Sequence, residues 1–209
     1  QQESARRFRF SAKKTMIIAQ QLYEGIEIGS KETVGLITYM RTDSVSLSTY
    51  AIDEARTLIS KQYGKDYLPD RPRTYKTKSK GAQEAHEAIR PTSIFRSPDS
   101  MEKHLNRDQL RLYRLIWRRM VACQMKNSIH FRTTIDIESH SSNSGNVYVF
   151  QTHGTQTKFS GFLSAYSDTA DDRENDENRK LPKLNSNDKL ECVSLKHDQN
   201  FTQPPLRFT

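Results

Sequence analysis

The chain is organised around one segment, which reads Gly35-Leu36-Ile37-Thr38-Tyr39-Met40-Arg41-Thr42-Asp43-Ser44. Its first half is an apolar run typical of a short β-strand, and its second half is rich in residues that favour turns and helix caps. The pattern places Tyr39 at the end of the strand and Arg41 two residues later. A phenolic oxygen can act as a nucleophile, and a guanidinium can hold two phosphate oxygens at once. On composition alone, a buried core tyrosine beside a surface arginine is the simpler interpretation.

Length and composition bound the class of protein. With 209 residues, the chain is long enough for one large domain or two small ones. Hydrophobic residues make up 34% of it, which predicts a core of modest size. No apolar run approaches the roughly 20 residues of a membrane-spanning helix, and the polar start is not typical of a signal peptide. Cys123 and Cys192 have no metal-ligand spacing, so we expect both to be buried, reduced thiols of a cytosolic protein.

The net charge of +8 is spread unevenly along the chain. Residues 1–125 contain 23 Lys and Arg against 14 Asp and Glu, whereas residues 126–209 contain 10 against 11. All of the excess positive charge therefore lies in the half that contains Tyr39. Such an asymmetry favours a polyanionic partner for that half, and a solvated basic face is the alternative.

Capping residues predict three long helices in the first half, each beginning after a serine or an asparagine. The predicted helices are Ala12–Glu24, Thr49–Tyr63 and one from Asn106 to about Met125. Apolar residues at helical spacing predict their buried faces. These faces are Ala12, Met16, Ala19 and Tyr23 in the first helix, Ile52, Ala55, Leu58 and Ile59 in the second, and Leu110, Tyr113, Trp117, Met120, Val121 and Gln124 in the third. The predicted exposed side of the third helix carries Arg111, Arg114, Arg118 and Arg119.

Two connecting segments are rich in charge. Residues 67–81 predict an exposed basic loop, in which Tyr75 either stacks on the bases of a single strand or is simply solvated. Residues 83–89 predict a short helix that Pro91 stops. Lys13 and Lys14 lie in the first turn of a helix, where a nearby anion or plain solvent explains them equally.

The second half changes to the alternating pattern of β-strands. Turn residues divide the pattern, and an acidic stretch poor in apolar residues predicts a mobile loop over residues 168–178. The predicted strands are 131–138, 147–153, 158–163 and 190–196. We therefore expect a mostly helical first half followed by antiparallel β structure.

Three segments of this sequence resemble type IA DNA topoisomerases, with Met40 typical of the bacterial topoisomerase I branch. The first is the nine-residue stretch 36–44, which resembles the family's active-site segment. The others are Gln83-Glu84-Ala85-His86-Glu87-Ala88-Ile89-Arg90-Pro91-Thr92 and Leu115-Ile116-Trp117-Arg118-Arg119-Met120-Val121-Ala122-Cys123-Gln124-Met125. A looser similarity continues to residues 204–209.

The resemblance implies an α+β fold in two parts. Residues 1–125 would form a mostly helical domain of helix-turn-helix, CAP-like type that carries the active-site tyrosine. Residues 126–209 would form an antiparallel β segment of the hinge that opens the enzyme's ring. The chain would then be an excised piece of a longer enzyme.

The resemblance also implies roles for five residues. Tyr39 would attack a phosphodiester of single-stranded DNA and become linked to the 5′ phosphate, and Arg41 would hold that phosphate. His86 would bind DNA near the cut, and Asp43 would orient its neighbours by pairing with Arg41 or His86. Arg90 would bind DNA or, with the nearby glutamates, hold the second segment together.

Partners and cofactors follow from the same resemblance. The implied substrates are single-stranded and negatively supercoiled DNA. The resemblance also implies a monomer that is cytoplasmic and associated with the nucleoid. The implied Mg²⁺ would be bound by a Toprim domain, whose string of aspartates is not found in this sequence. We expect this piece to hold no metal and to be inactive alone.

Two other classes of protein remain as alternatives. A non-catalytic basic DNA-binding module of helix-turn-helix type has the same composition, and it differs in that Tyr39 would never become linked to DNA. A tyrosine recombinase would need several dispersed Arg and His residues around its nucleophile, and the sequence shows no such pattern.

Overall fold

Helices are the main regular structure of residues 1–125 in the computed structural model, which describes residues 1–29, 32–75, 86–141, 144–166 and 181–203. The α-helices are α1 (Gln2–Phe8), α2 (Ala12–Glu24), α3 (Thr49–Gln62), α4 (Pro98–Met101) and α5 (Arg107–Cys123). The strands are β1 (Ile26–Ile28), β2 (Glu32–Val34), β3 (Ile129–His140) and β4 (Val147–Phe159). They form two antiparallel hairpins, β1–β2 and β3–β4. The fold is α+β, as the sequence predicted.

The predicted caps begin the three long helices. Ser11 accepts a hydrogen bond from the backbone of Lys14 at the start of α2, and Ser48 does the same for Ala51 in α3. Asn106 and Gln109 bond each other's backbone N–H groups reciprocally at the start of α5. Such caps satisfy amide groups that would otherwise lack a partner, which explains why local sequence located these starts correctly.

The predicted buried faces are confirmed for α3 and corrected for the other two long helices. The four residues predicted for α3 are all buried. In α2 the buried residues are Thr15, Ile18, Ala19 and Leu22. Of the predicted face only Ala19 is buried, whereas Met16 is half-buried and Ala12 and Tyr23 are exposed. In α5 the predicted stripe is buried except for a half-buried Leu110, but Arg118, which was expected on the exposed side, is only 8% exposed.

Two buried aromatic residues of α5 fix the helix against the segment that precedes it. The Tyr113 hydroxyl donates to the carbonyl of Arg96 at 2.7 Å, and Nε1 of Trp117 donates to the carbonyl of Ile94 at 2.7 Å. These bonds satisfy polar atoms that burial would otherwise leave unpaired. They also fix the chain just after the second family-like segment, which ends at Thr92.

The β half differs from its prediction. Four strands were expected beyond residue 125, whereas the described residues contain only β3 and β4. The strand β4 runs unbroken through Gly154, because that residue pairs with Thr133 of β3. Gly161 then ends the extended chain, since its φ is +51° and an added Cβ would lie 2.5 Å from the carbonyl of Asn127. Residues 190–196 are exposed and form no strand with any described residue.

The base of the β3–β4 hairpin packs on the helical half through Tyr67. The ring centroids of Tyr67 and Phe159 are 4.9 Å apart, and the Tyr67 carbonyl accepts a hydrogen bond from the backbone of Lys126 at 2.8 Å. The predicted boundary between residues 125 and 126 falls between α5 and β3 and stays a prediction.

Other predictions have mixed outcomes. Cys123 is half-buried, but Cys192 is exposed, so the expectation of two buried thiols was wrong. The predicted loop over residues 168–178 and the family-like residues 204–209 lie outside the described residues. Over the described part of the chain, no helix combines the length and apolar character needed to cross a bilayer.

Candidate active site

Backbone hydrogen bonds hold the Tyr39 segment between α2 and the second family-like segment. The Leu36 amide donates to the carbonyl of Leu22 at 2.7 Å, and the Thr92 amide donates to the carbonyl of Leu36 at 2.9 Å. A regular strand was predicted here, but the structure has a single bridge between Ile37 and Pro91. The ladder does not extend because the Leu36 amide donates to Leu22 of α2, and the Arg90 amide donates to the Thr38 hydroxyl instead of a backbone carbonyl across the bridge.

Thr38 links the two segments through its side chain. Its hydroxyl donates to the carbonyl of Ala88 at 2.8 Å and accepts from the amide of Arg90 at 2.9 Å. Its own amide donates to the carbonyl of Arg90 at 2.9 Å. One residue therefore fixes the position of Tyr39 relative to the stretch that follows His86. Sequence reasoning assigned Thr38 no role, because nothing in its type or spacing reveals a bond to a distant segment.

Among the described residues, two aromatic rings pack against the ring of Tyr39. The His86 ring centroid lies 5.2 Å away with the planes at 40°, and the Tyr23 centroid lies 5.5 Å away with the planes at 69°. Tyr39 is half-buried, and its ring packs against both of these neighbours. The fold thus brings together the predicted nucleophile and the predicted DNA-binding histidine. Tyr23 also belongs to this site, although its sequence position predicted only a place on the buried face of α2.

Arg41 projects from the turn that follows Tyr39. The amide of Ser44 donates to the hydroxyl of Thr42 at 3.0 Å, which closes this turn. Arg41 and Asp43 are both exposed, and neither has a hydrogen bond or ion pair with any described residue. The predicted pairing of Asp43 with Arg41 or His86 is therefore not present in the described structure. An exposed guanidinium two residues after the tyrosine is available to an anionic ligand.

Arg90 is held by its own segment. Its Nη2 lies 2.7 Å from Oε2 of Glu87, its Nη1 donates to the carbonyl of Pro91 at 2.9 Å, and its side chain is 12% exposed. Oε1 of Glu87 accepts from the amide of Ser48 at 2.6 Å. Burial alone would raise the pKa of Glu87, but hydrogen bonds from Arg90 and Ser48 outweigh it and hold the pKa below its usual value. These contacts fit the structural role predicted for Arg90 and Glu87.

The predicted helix over residues 83–89 is only partly described. Residues 83–85 lie outside the described residues, and residues 86–89 are bent chain rather than helix. The bonds from Thr38 to Ala88 and Arg90 and from Glu87 to Ser48 replace the helical hydrogen bonds. The helical prediction was therefore wrong for this part, because contacts with distant segments override local preference.

The basic loop is anchored where the structure describes it. The Tyr75 hydroxyl donates to the carbonyl of Cys123 at 2.7 Å, and the side chain of the buried Gln124 bonds both backbone groups of Arg73. Tyr75 therefore fixes the loop to the end of α5, and its stacking on bases stays a prediction. The lysines at positions 76, 78 and 80 lie outside the described residues.

A shallow groove of about 670 Å³ lies at the other end of α2 from Tyr39, between the starts of α2 and α5. Lys13, Lys14 and Arg107 line it, and Nζ of Lys14 lies 2.6 Å from Oδ2 of Asp108. Lys14 thus has an internal partner. Lys13 is exposed, and whether it binds an anion or is simply solvated stays undecided.

Metal ions in proteins are held by clusters of His, Cys, Asp or Glu side chains. Within the described ranges, no three His, Cys, Asp or Glu side chains lie together in a way that could hold a metal ion. This part of the chain therefore does not fit the Mg²⁺ that the resemblance implies.

Comparison with known proteins identifies relatives along the whole chain. The family model described as DNA topoisomerase matches residues 1–209. The chain is 49% identical over 209 residues to DNA topoisomerase 1 of Rickettsia felis, and this match covers 100% of the chain and 26% of that relative. It is 46% identical over 212 residues to DNA topoisomerase 1 of Xylella fastidiosa, covering 100% of the chain and 25% of that relative.

A solved structure shows a similar fold. Full-length topoisomerase I from Thermotoga maritima aligns with a TM-score of 0.69 at 36% identity, over 88% of this chain and 27% of that one. The chain thus spans about a quarter of the length of the curated relatives it matches.

Proposed function

The chain belongs to the DNA topoisomerase family, and from this premise we propose that it is the part of a type IA enzyme that carries the DNA-cleaving tyrosine. The observation that supports this most is the surrounding of Tyr39. Its ring is packed against His86 and Tyr23, and the exposed Arg41 two residues later has no internal partner among the described residues. A packed tyrosine ring followed two residues later by an available guanidinium is suited to attack on a phosphate group.

The proposed reaction is a transesterification on single-stranded DNA. The phenolic oxygen of Tyr39 attacks the phosphorus, and the bond from phosphorus to the 3′ oxygen breaks. The phenol loses its proton and the departing 3′ oxygen gains one, so that a 5′ phosphotyrosine and a free 3′ hydroxyl result. The reverse attack by the 3′ hydroxyl reseals the strand. One phosphoester bond replaces another in each direction, so resealing needs no ATP.

The positively charged and donor groups have separate roles in the proposal. The planar fork of Arg41 binds two oxygens of the scissile phosphate and stabilises the charge that develops on them. His86 donates to the same region of the strand from its place beside the Tyr39 ring. Arg90 acts through Glu87 by holding the segment that carries His86, and a direct DNA contact from Arg90 is not needed. Asp43 orients this group once DNA is bound.

The whole protein, of which this chain spans one part, would relax negatively supercoiled DNA as a monomer in the bacterial cytoplasm. The excess positive charge of residues 1–125 supports a nucleic-acid partner, because basic surfaces bind phosphate backbones. The Mg²⁺ of type IA enzymes would supply charge stabilisation in that larger protein.

The proposal is tested by locating the covalent bond. The full-length protein is incubated with a single strand that carries a label on its phosphates, quenched with denaturant and digested. We expect the labelled phosphate on the peptide that contains Tyr39. DNA binding without any adduct would favour the non-catalytic DNA-binding module, and an adduct on another residue would reject the assignment of Tyr39.

A further inference from the structure

Tyr23 lies in the last turn of α2, and its ring contacts the ring of Tyr39. The centroids are 5.5 Å apart and the planes are inclined at 69°, which is an edge-to-face arrangement. Tyr23 is 40% exposed, and its hydroxyl has no hydrogen-bond partner among the described residues. The contact therefore involves the ring of Tyr23 and not its polar end.

The backbone beneath these two rings is also fixed. The Leu22 carbonyl accepts the amide of Leu36 at 2.7 Å, and both leucines are fully buried. Gly35 passes so close to α2 that a Cβ added there would lie 2.6 Å from the carbonyl oxygen of Tyr23. The end of α2 and the segment leading to Tyr39 are thus in direct backbone contact, so that the Tyr23 ring has a defined position relative to Tyr39.

We propose that Tyr23 is a positioning residue for the nucleophile, and that its ring restricts the side-chain torsions of Tyr39 so that the phenolic oxygen faces the scissile phosphate. This inference rests on the proposed function, in which Tyr39 attacks DNA. Tyr39 lies in irregular chain, and the rings packed against it limit the rotamers that its side chain can adopt. Small errors in the placement of a reacting atom slow a reaction strongly.

The exposure of Tyr23 separates this role from ordinary core packing. A ring that only filled the core would be buried, and its loss would lower stability. Replacing a residue as exposed as Tyr23 is expected to change stability little. The effect of removing the ring should therefore appear in the rate of attack by Tyr39.

The experiment uses the full-length protein with the variants Tyr23→Leu and Tyr23→Phe. Tyr148→Leu is the matched control, because it removes a tyrosine of similar exposure, 53%, from β4. The single-turnover rate of covalent adduct formation is measured on a labelled single strand, affinity is measured in a Tyr39→Phe background, and the melting temperature is recorded for each variant. A positioning residue affects the rate of adduct formation and not the affinity, whereas a residue that binds DNA directly affects the affinity.

We expect Tyr23→Leu to slow adduct formation about three- to tenfold, as loss of one aromatic pair implies. Affinity should change by less than about twofold. Tyr23→Phe, which keeps the ring, should match the wild-type rate, and so should Tyr148→Leu.

Three results would overturn the inference. Adduct formation by Tyr23→Leu at the wild-type rate would show that Tyr39 needs no such neighbour. A rate loss in Tyr23→Phe equal to that in Tyr23→Leu would assign the effect to the hydroxyl. An affinity loss that accounts for the whole defect would make Tyr23 a DNA contact. Absence of any Tyr39 adduct in the wild-type protein would reject the proposed function as well, which distinguishes the two failures.

Discussion

Oε1 of Glu87 accepts a hydrogen bond of 2.6 Å from the backbone amide of Ser48, the residue that caps α3. Oε2 of the same carboxylate lies 2.7 Å from Nη2 of Arg90. One carboxylate therefore connects the start of a core helix with the segment that carries His86. These two bonds hold the backbone directly after His86 against the start of α3.

The first prediction concerns this carboxylate and pH. Because the pKa of Glu87 is held below its usual value of 4.5 in the folded protein, its contribution to stability is present above the unfolded pKa and is lost as the pH falls through the folded one. Glu87→Gln should lower the free energy of unfolding at neutral pH, and the difference from wild type should shrink in acid. Urea unfolding of both proteins from neutral to acid pH measures this difference in the free energy of unfolding.

Glu102→Gln is the control for that experiment. Glu102 is exposed, and it has no hydrogen bond or ion pair among the described residues, so its replacement should change stability little at any pH. A destabilisation by Glu87→Gln that stays constant from neutral pH to acid would contradict the ionic role of Glu87.

The second prediction concerns Thr38. Thr38→Val keeps the shape but removes a hydroxyl that serves both the Ala88 carbonyl and the Arg90 amide. Leaving these half-buried groups without a partner should cost about 1–3 kcal/mol, and Thr38→Ser should recover most of it. Thr57→Val is the control, because the exposed Thr57 hydroxyl bonds the carbonyl of Asp53 within its own helix and no distant segment among the described residues. Equal losses for the two valine variants in denaturant titrations would refute the linking role.

The third prediction concerns DNA affinity and salt. Phosphate contacts release counterions, so affinity for a single strand should fall steeply as salt concentration rises. The excess positive charge of residues 1–125 should supply most of these contacts. Dissociation constants of this chain at two salt concentrations measure the slope. Affinity that is independent of salt would remove the electrostatic basis for DNA binding.

The fourth prediction concerns Arg41 in the full-length protein. Arg41→Lys keeps the charge but loses the two-pronged contact with phosphate. Cleavage should fall at least about tenfold, a free-energy change near 1.4 kcal/mol, while affinity for uncleaved DNA stays close to wild type. The control is the reverse exchange, Lys61→Arg, at an exposed position in the last turn of α3. It should leave both cleavage and affinity unchanged. A parallel loss of affinity and cleavage in Arg41→Lys would reduce Arg41 to an ordinary DNA contact.

Local chemistry explains what the sequence could predict. Helix starts at Ser11, Ser48 and Asn106 were located correctly because a cap depends only on its next few residues. The short helix α1 was missed because Gln1 makes no side-chain cap. The fold class followed from the change of hydrophobic period after Met125.

Contacts between distant segments explain what the sequence could not predict. The strand expected at residues 36–40 was reduced to one bridge because the amides of Leu36 and Arg90 bond Leu22 and the Thr38 hydroxyl. The helix expected near His86 failed because Thr38 and Ser48 bond that segment instead. The burial of Arg118 likewise depends on packing. Motif resemblance indicated that Tyr39 and His86 share a site, but neither motif nor composition indicated the contact with Tyr23.

The most direct test of the account is the covalent adduct trapped by denaturant from full-length protein, a labelled single strand and Mg²⁺. Tyr39→Phe removes one oxygen and almost no volume, so folding and DNA binding should match wild type. We predict that wild type traps the strand and that Tyr39→Phe traps none. An adduct at the wild-type level in Tyr39→Phe would show that another residue is the nucleophile and would contradict the assignment of this site.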